Sequence, residues 1–497
     1  MIGKELPPDG PHLLGADTIA RRNRADVFIG VVAPSGVRRA TLEAKLTSEL
    51  RRFGYELEVW RVSDLIKSFA GVSIDDSSPG KYLESAMEAG SMLRSTIGPD
   101  CLARAAMLAI SQWREEPDRG QDAPRVHLIW SLKHKEEVAT LRLVYGASFH
   151  LLGLYATRDE RKDLLLERPG MEANEAEQAI DRDEDESGRR DGQKTRDTFQ
   201  LADVFLPWGK EPDHRSLARF LDLVFGCPRW TPTLDEHRMF LAFATATRSG
   251  ELGRQVGAVL VDQRGDVLAL GSNDVPRRGG GCYWPTSDDQ RDIVRGFDAN
   301  TRNKADLMRR VVEELGEEGR GISAERLGET SLKEITEFGR AVHAEMDALL
   351  ACGRTGRSTR GTTMYVTTFP CHNCARHIVA AGVERVVFVE PYPKSRAVDL
   401  HTGDLEEVAP GETGGAQAEG GQRVRLEPFV GVGPRRFFDY FSTSLGSGYL
   451  VERKEKDGAL VSWDEATVGP RTQASEEGYL KAEKQLAREL KSFLADG

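Results

Sequence analysis

His343, with Cys371 and Cys374 in Pro370-Cys371-His372-Asn373-Cys374, supplies the ligand types that hold zinc. One imidazole and two thiolates fill three corners of a tetrahedron. The fourth stays open for water, as in a catalytic rather than a structural site. An ion held this way brings the pKa of water near neutrality and makes it a nucleophile. Such a reaction also needs a proton carrier. Glu345 stands two residues beyond His343, near the ion without being a ligand. Burial in a closed pocket would raise its pKa, as a general acid/base requires. Cys371 and Cys374 are one helical turn apart, so both sulfurs can face one ion, and a helix N-terminus favours thiolates. Each fragment alone has a blander reading: C-x-x-C as a redox pair or half a structural zinc site, H-x-E as chance. In this order and separation they point to one catalytic Zn²⁺ per chain.

These residues need elements to position them. One helix must begin at His343 and another at Cys371, with strands at 363–368 and 385–390 around the second. Upstream, the pattern predicts a helix at 236–247 and strands at 256–262 and 267–272. In the first half, apolar runs at 27–32, 57–62, 126–132 and 149–156 read as strands between helices. The helix at about 38–53 carries Leu42, Leu46, Leu50 and Phe53 on one face. Alternating strands and helices predict an α/β fold with a parallel sheet covered on both faces. The division expected is an N-terminal domain at 1–225, a zinc domain at 226–445 with an insertion at about 277–340, and a C-terminal extension at 446–497 ending in a charged helix. The stretch 207–230 is expected to hold a hinge and 409–424 to be a surface loop. The charged stretch 170–196 reads as a solvated helix and loop, or as a lid carrying Arg182, Arg189 and Arg190.

The chain has 497 residues, 39% of them hydrophobic, enough for two packed cores. No secretory segment opens it and no apolar run reaches the ~20 residues of a membrane span. Six cysteines, scattered apart from the C-x-x-C, fit a reducing cytoplasm, with thiols free for metal. A net charge of −11 argues against a broad polyanion-binding surface but leaves room for a small nucleotide held by local cations.

H-x-E followed by P-C-x-x-C is the known signature of zinc-dependent nucleobase deaminases. The surrounding residues narrow the resemblance. Val256-Gly257-Ala258-Val259 on a strand, then Gly271-Ser272-Asn273-Asp274-Val275-Pro276, then His343-Ala344-Glu345 and Pro370-Cys371-His372-Asn373-Cys374-Ala375 resemble the deoxycytidylate deaminase family over most of 236–395. The resemblance implies a cytidine-deaminase-like αβα fold in which Asn273 hydrogen-bonds the deoxyribose 3′-hydroxyl, a role its donor and acceptor suit. It also implies that Ala344, Thr368 and Pro370 frame the base. The alternative for Asn273 is capping of the turn before Pro276. Asp347 departs from the family's neutral amide and is expected to face away from the metal. Among the nearby cations, Lys394 is favoured for phosphate, as a point charge after the last strand. A free deoxycytidine nucleotide is the implied substrate and a homo-oligomer the implied assembly.

In the first half, Gly30-Val31-Val32-Ala33-Pro34-Ser35-Gly36-Val37-Arg38 joins a strand to a helix, the context of a phosphate loop. It is degenerate: Val37 takes the Lys slot and Arg38 the Ser/Thr slot. Gly30, Ser35, Gly36 and Arg38 are the candidates for binding a nucleotide without turnover, since helix-terminal amides hold phosphate unaided. An ordinary strand-to-helix turn is the competing reading. The region resembles P-loop nucleotide-kinase-like domains, and its pairing with a deaminase resembles bacterial anti-phage dCTP deaminases. That resemblance implies conversion of dCTP and dCMP to uracil nucleotides. It also implies control by the first domain, with a regulatory nucleotide or an RNA as partner. Housekeeping salvage of dCMP and deamination of RNA or DNA are the alternatives.

Overall fold

Six consecutive apolar residues, Val27–Val32, form a strand buried along its whole length, β1, at the middle of the first sheet. The computed structural model describes residues 24–69, 71–116, 123–184, 194–316, 322–328, 330, 332, 335–389, 395–411, 423–455 and 457–496. Two units emerge, residues 1–232 with 430–497, and residues 233–429. Both are mixed α/β.

In the first unit β2 (Glu56–Arg61), β3 (Arg125–Trp130), β4 (Phe149–Tyr155) and β5 (Val204–Pro207) join β1 in the order β2-β3-β1-β4-β5, all parallel. The central strands read as continuous apolar runs, as strands covered on both faces must. Gly431–Val432 pairs antiparallel with β5 and closes that edge. Helix α1 (Arg39–Leu50) buries Leu42, Leu46 and Leu50, the predicted stripe at four-residue spacing. The path from β3 to β4 crosses from one side of β1 to the other. Such a reversal leaves a crevice beyond the carboxyl end of the strand.

The expected hinge is part of this unit's body. Val204-Phe205-Leu206 is a short buried strand, and the helix His214–Val224 buries Leu217, Phe220, Leu221, Leu223 and Val224. The chain leaves the unit after Pro232 and returns at Val430. The terminal helix Glu476–Asp496 is no loose extension. It packs on the helix Cys101–Arg114, and its buried Glu483 accepts hydrogen bonds from Arg114 and Tyr145.

The second unit has a sheet of β6 (Gly257–Val261), β7 (Val267–Ser272), β8 (Thr363–Val366), β9 (Arg385–Phe388), β10 (Leu405–Glu407) and β11 (Val424–Pro428). The order is β10-β11-β9-β8-β6-β7. β7, β6 and β8 are antiparallel neighbours, and β8, β9, β11 and β10 are parallel. Helix α2 (Leu234–Ala246) covers one face. Helices α3 (Ala344–Thr355) and α4 (His372–Ala380) cover the other, packing Ala344, Ala348, Cys374 and Ile378 against Ala258, Leu260 and Met364. Strands β10 and β11 were not expected beside the supposed loop 409–424. They are three and five residues long, too short for alternation to stand out. Residues 412–422 lie outside the described residues. Among those described, no helix is long and apolar enough to cross a membrane.

Candidate metal centre and active site

Two helix starts build the site. His343 is the residue before α3 and Cys371 the residue before α4, both with extended backbone, and Cys374 lies in the first turn of α4. Two close approaches hold α3 in place. A Cβ on Gly271 of β7 would lie 2.1 Å from the carbonyl oxygen of Ala344, so only glycine lets the helix start sit this close. The backbone of Val342 pairs antiparallel with Asp274, tying the residue before His343 to the end of β7. The buried Asp347 carboxylate accepts from Ser272 N–H at 3.3 Å and faces Arg354 at 3.7 Å. It points to β7, as expected for a residue turned from the metal.

His343 Nδ1 lies 3.4 Å from Cys371 Sγ and 3.3 Å from Cys374 Sγ. A tetrahedral zinc ion with ligands at about 2.0–2.3 Å sets such atoms about 3.5 Å apart, so the donor set fits the ion. The charges fit too. A hydrogen bond from Cys374, and then the hydrogen bond and charge of His343, overcome burial and bring Cys371 down to about 4. The same hydrogen bond, with burial, pushes Cys374 the other way, so the two thiols share one proton between them. Glu345 is 3% exposed, and burial lifts its carboxyl above the usual range, helped by the charge of Cys371. It is a buried carboxyl beside a metal-ligand cluster, with its affinity for a proton raised.

Asn273 stands at the end of β7, its Oδ1 accepting from Val256 N–H and its Nδ2 donating to Arg254 O, both at 2.7 Å. The turn-capping role is therefore real. An amide has two donors and two acceptor positions, so one of each stays available, in a fixed orientation, among the described residues. Ala344 and Pro370 are buried and Thr368 half-buried. Lys394 lies outside the described residues, as do Arg189 and Arg190. Arg182 pairs with Glu88 at 2.7 Å. One cluster went unnoticed in the sequence. Glu251, Asp292 and Asp298 bring their oxygens within 4.8 Å of one another; His343 is raised mainly by its hydrogen bond with Cys371, with Glu251 a minor contributor. The three carboxylates are far apart in sequence, with no motif spacing to reveal them. Arg340 pairs with Asp292.

In the first unit the candidates separate. Gly30 lies inside β1, where a Cβ would meet Phe149 at 2.6 Å, so it serves sheet packing and not the loop. Ser35, Gly36 and Arg38 do form the turn between β1 and α1. Gly36 has φ +101° and no room for a side chain, the Arg161 carbonyl lying 2.5 Å from where its Cβ would be. The exposed Arg38 pairs with Glu167. Asp183, hidden in an acidic run, reaches this turn and accepts from Ser35 N–H at 2.6 Å.

Residues 232–390 match the family described as the cytidine and deoxycytidylate deaminase zinc-binding region. The deoxycytidylate deaminase of Mycobacterium phage D29 is 34% identical over 163 residues, 33% of this chain and 96% of the phage protein. The chain belongs to the deoxycytidylate deaminase family. It is a deaminase and hence a hydrolase, and zinc is its cofactor. The deoxycytidylate deaminase of Enterobacteria phage T4 is 29% identical over 163 residues, 31% of this chain and 77% of that protein. The Homo sapiens deoxycytidylate deaminase is 28% identical over 154 residues, 31% of this chain and 63% of that protein. If His343, Cys371 and Cys374 are the family's ligands here, Cys371→Ser lowers zinc content by at least about tenfold, with activity falling in parallel. Elemental analysis of the purified variant checks this.

Proposed function

We propose that the second unit hydrolyses free deoxycytidine nucleotides, dCTP to dUTP and also dCMP to dUMP, releasing ammonia. The observation that carries this is the buried Glu345, one residue inside the helix whose start presents His343 to Cys371 and Cys374. A structural zinc site has no use for such a group. Zinc held by the three ligands supplies a Lewis acid that activates water. Glu345 takes the proton of the attacking water and delivers it to the ring nitrogen N3 and then to the departing amine. Its burial keeps the carboxyl pKa high enough to give the proton back. The amide of Asn273, oriented by Arg254 and Val256, takes the sugar 3′-hydroxyl. Ala344, Thr368 and Pro370 bound the base, and Lys394 takes phosphate.

The first unit supports a control role. Its strand order brings a crevice to the end of β1, where the turn Ser35–Arg38 begins α1. We read it as a nucleotide-kinase-like domain with a degenerate phosphate loop. Val37 lacks the amine and Arg38 the hydroxyl that phosphoryl transfer needs, so it binds a nucleotide without turning it over. Joined to a deaminase, such a domain suits a cellular defence that depletes dCTP during phage infection. The relatives' name favours a second reading, deamination of dCMP in pyrimidine salvage. Chromatography of the full chain incubated with dCTP, dCMP, CTP and a cytosine oligonucleotide separates the two. Turnover of dCTP at a rate comparable to or above that of dCMP is expected. Turnover of dCMP alone moves the protein to salvage, and preference for the oligonucleotide overturns both readings.

A further inference from the structure

A cavity of about 490 Å³ opens at the carboxyl ends of β1 and β3, next to the Ser35–Arg38 turn. That is the size of a small-ligand site. Its lining combines Ile66, Tyr82 and Met87 with cations that include Arg94, Lys133 and Arg168, and contains no carboxylate among the described residues. An anion with an apolar or planar body suits such walls. Arg94 is 2% exposed and pairs with Glu137 through Nε and Nη2. Its buried Nη1 has no partner among the described residues. A guanidinium N–H left unsatisfied in a cavity wall costs free energy that a bound acceptor would recover.

Asp183 is not part of the cavity lining, but it holds two groups that are, Ser35 and Lys133. The fully buried Asp183 carboxylate accepts from Ser35 N–H at 2.6 Å, Lys133 Nζ at 2.6 Å and Thr195 Oγ1 at 3.1 Å. The turn amide and the ammonium that would hold a phosphate at the start of α1 are therefore engaged by a side chain. Asp183 belongs to the last turn of the helix Ala173–Glu184. Gly36 shapes the turn with its φ of +101°, and Arg161 Nε donates to Ser35 O at 3.2 Å.

We propose that this cavity takes a nucleoside phosphate whose phosphate group replaces the Asp183 carboxylate on Ser35 N–H and Lys133 and satisfies Arg94, so that binding releases the last turn of the helix Ala173–Glu184. This rests on the nucleotide-binding reading of the first unit and adds the group that must leave. Asp183 acts as a tethered competitor. The ligand's apparent affinity is its intrinsic affinity reduced by the fraction of molecules in which the carboxylate is out.

Calorimetric titration of the full chain with ATP, GTP and dTTP, each alone, tests it. At least one probe is expected to bind. Asp183→Asn, which keeps the side-chain volume, tightens that probe by about tenfold or more. Arg94→Met weakens it by about as much. On the natural chain, hydrogen exchange at residues 181–184 and 195–199 quickens when the probe binds. A folded Asp183→Asn protein that binds no tighter, or a probe that slows exchange there, overturns the exchange and leaves the nucleotide reading standing. Binding of no probe to either protein removes both. Should Asp183→Asn not fold, the exchange experiment on the natural chain decides alone.

Discussion

Glu345→Gln is expected to cut deamination by about two to four orders of magnitude, the contribution of a positioned proton carrier, while zinc stays bound. The substitution isolates the proton. Gln has the same length and fits a site that is 3% exposed. His343 is expected to keep its position, because the start of α3 is held against β7 by Gly271 and Val342, and an amide at 345 can still hydrogen-bond Cys374 as the carboxylate does. The lost charge in the first turn of α3 costs only about 0.3–1 kcal/mol of helix stability. An amide still donates and accepts hydrogen bonds, but it cannot take a proton from water and return it to N3 or to the amine. Substrate affinity should therefore change little while the rate of the chemical step collapses. The measurement is single-turnover deamination with elemental analysis on the same sample. A variant with one zinc and more than about a tenth of the natural rate would remove Glu345 from the proton path. A variant that has lost its zinc would instead show that the carboxylate helps to hold the ligands.

How much of this could be read from residues alone differs between the two units. In the second, ligand spacing constrains geometry directly. Cys371 and Cys374 one turn apart must share a face, and H-x-E must put Glu345 just inside the helix that His343 opens. Both hold at the two helix starts. What joins them is non-local. Nothing in the neighbourhood of Gly271 says that it faces the Ala344 carbonyl, nor does anything around Asp274 announce its bridge to Val342. Asn273 was expected to bind sugar or cap a turn, and its amide caps the turn while keeping hydrogen-bonding capacity. In the first unit the apolar runs marked four strands well. β5 was lost because Val204–Pro207 is four residues long and ends in proline. Gly30 looked like part of a phosphate loop because glycine serves both a tight turn and a close packing contact, here with Phe149. Asp183 was invisible for the opposite reason. One buried carboxylate in a run of exposed ones has no local mark, and only the fold brings it to Ser35 and Lys133.

Gly271→Val separates the role of that glycine from a general tolerance for small residues. The new Cβ would lie 2.1 Å from Ala344 O and 2.5 Å from Ala348 N, both backbone atoms of α3. Neither can swing aside as a side-chain tip would, so α3 must move off β7 or the strand must bend. Overpacking of this kind costs about 1–3 kcal/mol. The catalytic loss is larger than the stability loss suggests. Ala344 lies between His343 and Glu345, so the displacement is centred on the ligand and the proton carrier. A shift of about 1 Å in reacting groups costs about a hundredfold in rate. Zinc content is expected to fall as well, since His343 Nδ1 now sits within 3.4 Å of both sulfurs and would leave them. Gly353→Ala is the matched control on the same helix. Nothing lies within 4 Å of its added Cβ, and an alanine in an exposed helical position gains about 0.5–1 kcal/mol over glycine. That variant should unfold at higher temperature with unchanged rate and zinc. Thermal unfolding, elemental analysis and initial rates on both proteins decide the matter. Gly271→Val with natural activity and zinc would mean that α3 is positioned by Val342 and Asp347 alone, and the close approach to β7 would lose its place in the account of the site.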